Sequence, residues 1–453
     1  MKKDMTTGTE WKLILLFSLP IIAGNLLQQL YNVVDGIIVG NFVSEAAIAA
    51  VTTCLPLTML FIALAHGLSI GGGVVISQYY GAGKKDELPL AINSALVLLG
   101  MCGIAIMLIG ILFSEVMLRH ILMVPEEIMP DAGTYLRIYS AGLFFQFMYN
   151  GIAATLRAFG DSRATLYFLL MATMLSTALT FLFILVFKWG VAGAAFSTVL
   201  AQFACATVSY TYLRKRFPRE REGRHWDKKI ITTMAKLGLP VALQMGVISL
   251  AIGAMQRLAN SFVDTVPGIM AGYGAAVRLD FIVVVLGMGF QSGLANFVGQ
   301  NIGAGRLDRV KRGYHVTLAM SLTLVIIVSA ILFFFAEQAI GLFGLEDDAL
   351  RIGVETLKFV MMFFWLFPIF ATVGGVLQGA GDTVLLSKMT LAGLAVRVVT
   401  GYLGVHLDIL GYQAAWATLP IQWALLVIFM NIRYLTGGWK KKAVAGKLSQ
   451  EKK

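Results

Sequence analysis

Apolar runs long enough to cross a bilayer recur along the whole chain, a pattern that puts most of it in lipid. They lie near 13–35, 47–77, 91–114, 133–156, 164–187 and 191–213. Six more follow near 233–258, 268–299, 316–336, 354–377, 386–406 and 411–433. Each supplies the roughly twenty apolar residues that a helix needs to span about 30 Å of hydrocarbon. Only 13% of the 453 residues are charged, against about 25% in a soluble domain, and mean hydropathy is +0.79. The chain reads as an all-α polytopic membrane protein with twelve transmembrane helices. Lys2 and Lys3 precede the first run as they would in a signal peptide, but the run is too long for one and is read as a retained span.

The net charge of +11 is assigned to topology and not to nucleic acid, because the basic residues flank the spans. Lys84 and Lys85, Arg157 and Arg163, the stretch 214–229, then Arg306, Arg309, Lys311 and Arg312, and finally Lys440, Lys441 and Lys442 fall on one side. The other side carries Glu45, then Glu126, Glu127 and Asp131, then Glu346, Asp347 and Asp348. Both termini are expected in the cytoplasm, with the protein in the cell (inner) membrane and the lipid bilayer as its main partner. Cys54, Cys102 and Cys205 lie inside apolar runs and read as small buried hydrophobes. The histidines do not cluster, no Walker glycines precede a Lys-Ser/Thr pair, and neither catalysis nor a resident cofactor or metal is expected.

The two halves repeat each other at an offset near 220 residues. SLP (18–20) matches GLP (238–240), SQYYGAGKKDE (77–87) matches GQNIGAGRLDR (299–309), LRAFGD (156–161) matches LQGAGD (377–382), and GAAFSTVLAQ (193–202) matches QAAWATLPIQ (413–422). The expected organisation is an N-terminal six-helix lobe at 1–213, a basic cytoplasmic linker at 214–230, a C-terminal lobe at 231–435 and a basic tail at 436–453. An even number of spans per half makes the repeats parallel, around a central cleft of the kind transporters use. The glycines of QxxGAG are expected to stop a helix in the left-handed conformation. Asp161 and Asp382 are expected to cap the next helix.

Taken together, Pro20, NVVDGIIVG (32–40), the paired QxxGAG and LxxxGD motifs and GAAFST (193–198) resemble the multidrug and toxic compound extrusion (MATE) family, over nearly the whole chain. The likeness is greatest to its DinF-like and MepA-like bacterial branch. It implies a cation-coupled, secondary-active antiporter that exports amphipathic, cationic drugs or metabolites by alternating access. A lipid-linked oligosaccharide flippase of the same superfamily is the alternative. By the same resemblance the ion-coupling positions are Asp35, Ser176, Thr180 and Thr198. Ser176 and Thr180 stand where the family pattern has Asn and Asp. That loss of oxygen donors favours H+ over Na+ as coupling ion.

The residues themselves single out Asp35, since a carboxylate within a span commonly marks an ion pathway. Ser and Thr hydroxyls often return to their own helix carbonyls, so Ser176, Thr180 and Thr198 carry less weight alone. Asn25, Gln28, Gln29 and Asn32 on the first span, Gln256 and Arg257 on the seventh, and Arg278 and Asp280 on the eighth are the cleft candidates. Arg278 and Asp280 are two apart and do not face each other; Gln256, Arg257 and Asn260 are their expected partners. Arg397 is a further deep basic residue. Pro20 is the expected kink of the first helix. The expected partners are a small amphipathic substrate and lipid, with no nucleic acid, and the protein is read as a monomer.

Overall fold

The computed structural model describes residues 4–29, 49–84, 86–217 and 225–443 in full, and residues 30–42 and 45–48 as backbone alone. Among the described residues there is no strand. The first repeat holds α1 (Glu10–Phe42), α2 (Glu45–Gly81), α3 (Leu88–Leu112), α4 (Met129–Ala141), α5 (Leu143–Ala158), α6 (Ser162–Phe181) and α7 (Gly190–Arg216). The second holds α8 (Lys228–Asn260), α9 (Ile269–Gly303), α10 (Leu307–Phe334), α11 (Asp347–Phe363), α12 (Leu366–Ala380), α13 (Thr383–His406) and α14 (Leu419–Leu435).

Ten described helices are individually long and apolar enough to cross a membrane, and α11 with α12 makes an eleventh, bent by 53°. The remaining expected span, at 133–156, is α4 and α5. Neither is long enough alone, because the chain breaks at Gly142. A Cβ there would stand 2.8 Å from Val199 Cγ2 of α7, so glycine lets the break pack against its neighbour. Both repeats thus interrupt the same span.

The motif glycines behave as their sequence implies. Gly83 and Gly305 follow α2 and α9 at φ +69° and +72°, and Gly160 and Gly381 lie at +78° and +85°, a region where a side chain is strained. Asp161 accepts a hydrogen bond from the Ala164 amide at 3.2 Å, as a cap should. Asp382 does not cap by its side chain. Its carboxylate instead receives Arg433 Nε at 2.8 Å and a second guanidinium nitrogen at 2.7 Å. Asp161 likewise pairs with Arg216 and accepts the Tyr212 hydroxyl at 3.0 Å. In each repeat the GD carboxylate therefore ties down the end of that repeat's last helix. Sequence spacing alone suggested only the cap.

Contacts divide the chain into two compact units: Ala23–Met245 in one, Met5–Ile22 with Gly246–Ala443 in the other. The division differs from the lobes expected at 1–213 and 231–435, because half a helix changes hands each way. The start of α1 packs in unit two and the start of α8 packs in unit one. The changeovers fall just beyond Pro20 and Pro240, where a missing N–H weakens the helix ladder.

The receiving surfaces are glycine pairs four apart. On α2, a Cβ at Gly71 would lie 2.2 Å from the Met234 carbonyl oxygen of α8, and one at Gly67 would lie 2.4 Å from the Ala242 nitrogen. On α9, a Cβ at Gly293 would lie 2.0 Å from Ser18 Oγ of α1, and one at Gly289 would lie 2.2 Å from Ile22 Cγ1. Small residues so placed let helix backbones approach closely in lipid.

The exchanged start of α1 is further pinned within unit two. Met5 is fully buried, and its amide donates to Gln300 Oε1 at 2.9 Å. Asn301 donates to the Met5 carbonyl at 3.1 Å, Arg309 to the Gly8 carbonyl at 2.9 Å, and Glu10 pairs with Arg309 and Arg312 at 3.1 and 3.2 Å.

Two tests of stability follow from these contacts. Gly71→Val drives a side chain into the α8 backbone, and should cost at least about 3 kcal/mol or abolish folded protein, as read from detergent-solubilised yield and thermal midpoint. Asp382→Ala leaves Arg433 without its carboxylate and should cost about 3 kcal/mol. Asp348→Ala breaks the exposed Arg351 pair and should cost under about 1 kcal/mol, so matched denaturation curves should separate the two.

Candidate functional site

In unit one, α6 and α7 bring neutral hydroxyls together. Ser176 and Thr180 are buried on α6, and the Thr180 hydroxyl lies 2.7 Å from that of Ser197 on α7. Ser197 donates its one proton to the Ala194 carbonyl at 2.7 Å, so Thr180 is the donor in the contact between the two. Thr198, half-buried, returns its hydroxyl to the same Ala194 carbonyl at 3.2 Å. The partner of Thr180 is thus Ser197, a residue the sequence pattern did not single out.

Asn25 and Gln29 are half-buried on α1 and Gln28 is exposed. The α1 helix continues through Asn32 and Asp35, whose side chains lie outside the described residues.

In unit two, charge and aromatic rings meet. Asp280 on α9 is half-buried and makes no hydrogen bond or ion pair among the described residues; the charge acting on it is Arg397 of α13. Tyr273, two turns before Asp280 on α9, acts on the Arg397 charge, and the guanidinium donates to the Ala415 carbonyl at 3.5 Å. Its Nε is buried without a partner. Tyr273 stacks at 6.0 Å on Trp416, which meets Tyr412 edge-on at 5.6 Å. The Tyr412 hydroxyl donates to Glu355 Oε2 at 3.2 Å. Burial, and then the Glu355 carboxylate, raise the Tyr412 phenol above its ordinary value. Glu355 also lines an open cavity of about 550 Å³ together with Glu337, Asp347, Leu350, Arg351 and Val354.

The expected partners on span seven are therefore corrected. Gln256 donates to Asn260 one turn away on α8 at 2.9 Å, while Arg257 and Arg278 are exposed. The charge acting on Asp280 comes instead from Arg397 of α13. Sequence reading found Arg397 as a deep charge but had no means to join it to Asp280, more than a hundred residues away. Arg157, counted with the loop after the fourth span, lies in the last turn of α5.

The sequence model of the MatE family matches residues 20–182 and again 240–403. The chain belongs to the MatE family, and it is a membrane transporter and not an enzyme. The starts of the two matches are 220 residues apart (240 − 20), which is the offset of the motifs. The probable multidrug resistance protein YpnP of Bacillus subtilis is 34% identical over 396 residues, 86% of either chain. A FAD transporter of Shewanella oneidensis is 24% identical over 354 residues, 75% of this chain and 76% of its own. The crystal structure of a MATE protein in complex with MaL6 superposes with a TM-score of 0.89 at 24% identity, over 97% of this chain and 99% of that one. That likeness establishes the shared helical fold. With relatives named for drug resistance and for FAD, the oligosaccharide-lipid flippase is not favoured.

The unit-two cluster gives a third test. Arg397→Gln removes the charge acting on Asp280 and the charged donor to the Ala415 carbonyl, and should destabilise the protein by about 2 kcal/mol. Adding Asp280→Asn should recover a large part of that loss, since the two side chains act on each other. Denaturation of the four proteins of the cycle in one detergent measures the coupling; strict additivity would mean the two charges do not interact.

Proposed function

We propose that the protein is a proton-coupled antiporter that exports amphipathic small molecules, cationic ones among them, by alternating access. It works as a monomer in the cell (inner) membrane with both termini in the cytoplasm. The observation that carries the choice of ion is the neutral hydroxyl cluster on α6 and α7. Thr180 hydrogen-bonds Ser197 at 2.7 Å, and Ser197 and Thr198 both return to Ala194. A sodium site needs several oxygen ligands and a countercharge. These positions supply no carboxylate, because Ser176 and Thr180 stand where the resemblance implies Asn and Asp. A proton needs one titrating acid, and Asp35 on α1 is the acid left in that set. Asp280, without a hydrogen bond among the described residues, is a second acidic partner for a cationic cargo. The relative named as a FAD transporter supports a cargo range that is not confined to cations.

Asp35→Asn keeps the shape of the side chain but cannot exchange a proton. With expression matched, it should reduce efflux of ethidium from proteoliposomes under an imposed proton gradient to the level of empty vesicles. Efflux at the wild-type rate would remove Asp35 from the coupling step. Wild-type efflux driven by a sodium gradient at equal pH on both sides would replace the proton with sodium.

A further inference from the structure

The residues that follow the last span form an anchored turn. Helix α14 ends at Leu435, and Gly437, at φ +69°, redirects the backbone. A 3-10 turn, Gly438–Lys442, then folds back on the span. A Cβ on Gly438 would overlap the Arg433 guanidinium that holds Asp382, so glycine lets the turn close on that ion pair. Trp439 is fully buried, and its indole N–H donates to the Tyr434 carbonyl at 3.0 Å. Its ring stacks on Tyr434 at 5.8 Å, and Tyr434 stacks on Tyr314 of α10 at 4.4 Å. Trp439 belongs to the same core cluster as Met5 and Phe17.

With the tryptophan turned inward, Lys440, Lys441 and Lys442 are exposed. Lys311, also exposed, lies one turn before Tyr314 on the same side of α10. No carboxylate among the described residues pairs with these four lysines. The acids at this end of unit two are already engaged: Glu10 with Arg309 and Arg312, Asp308 with Arg312, and Asp382 with Arg433. Topology asks only for basic residues at one end of a span. It does not ask that they sit on an anchored turn with the neighbouring acids occupied.

The span beneath the turn is apolar on its outer side. Ile428, Ile432 and Leu435, at i, i+4 and i+7, form an exposed stripe that continues to the helix end, where Leu435 is 79% exposed. On a helix that crosses a membrane, such a stripe lies against acyl chains. Lys440 follows five residues after Leu435 (440 − 435), beside the headgroups.

We propose that this turn is a binding site for an acidic phospholipid. The lysines take the headgroup phosphate as point charges, and the stripe on α14 takes an acyl chain. Charge above an apolar stripe fits an amphiphile and not a soluble phosphate. The site does not depend on which cargo the protein carries. A lipid bound only to the folded turn stabilises it, and with it the core around Trp439.

Native mass spectrometry of the full-length protein in neutral maltoside, with equal dioleoylphosphatidylglycerol and dioleoylphosphatidylcholine, reads the preference of the first lipid bound. About fivefold per lysine at the membrane surface gives wild type a preference of about a hundredfold. Lys440→Gln, Lys441→Gln and Lys442→Gln together should lower it at least about tenfold while leaving the lipid-free melting midpoint in place. Lys440→Arg, Lys441→Arg and Lys442→Arg together should keep it. A matched triple of exposed residues in unit one, Arg163→Gln, Lys215→Gln and Lys228→Gln, should also keep it. Equal loss in the two glutamine triples would make the turn one part of a generally basic surface and overturn the site. Equal retention of the two lipids by wild type would overturn it as well, as would displacement of phosphatidylglycerol by glycerol 1-phosphate, which has no acyl chains.

Discussion

Close contact between helix backbones, permitted by four glycines, is the constraint on which the rest of this structure depends. Lipid tails are as apolar as leucine, so burying apolar surface does little to bring spans together; packing at short range has to do it. Gly67 and Gly71 seat the first half of α8, and Gly289 and Gly293 seat the first half of α1. The polar contacts around Met5, Gln300 and Arg309 then have their geometry set for them. Without the glycine seats, the buried start of the chain would have no surface to lie on.

Duplication made the frame, and divergence made the chemistry. Both repeats keep the left-handed glycines, the interrupted fourth span and the carboxylate that ties down the last helix. The charges within the spans do not follow the repeat. Unit two has the charges of Asp280 and Arg397 acting on each other near stacked aromatic rings, whereas unit one has hydroxyls on α6 and α7. A frame held by glycines and by ion pairs at its ends leaves the interior side chains free to change, which suits a family whose members are named for different cargoes.

The fold was legible because its signals are local and repeated. Apolar runs gave the spans, and paired motifs gave the offset that the family match reproduces. The α4–α5 break escaped notice because one glycine in an apolar run does not announce an interruption. The exchange of helix halves was equally hidden, since Pro20 and Pro240 mark weak points without saying what packs on either side of them. Site residues were read less well. Asp280 and Arg397 were visible as charges out of place, but the effect of one on the other depends on tertiary placement more than a hundred residues apart in sequence. Arg157 was hidden by its neighbours: a basic residue four positions before a turn looks like a loop residue, and only the helix end shows that it lies in the last turn of α5. Ser197 gave no signal, being one hydroxyl among many.

The exchange of helix halves also bears on the order in which the chain can be assembled. The surface that seats Ser18 and Ile22 is on α9, some 270 residues later. A ribosome making this protein from its N-terminus releases the start of the first span long before its resting place exists. Unit one is delayed too, since it needs α8 through Met245, and thus cannot finish before the second repeat is under way. Unit one can close once the first half of α8 is in place, while unit two waits for the rest of the chain. The nascent first span must wait in the bilayer, and insertion of α9 is the event that gives its start a surface to rest on.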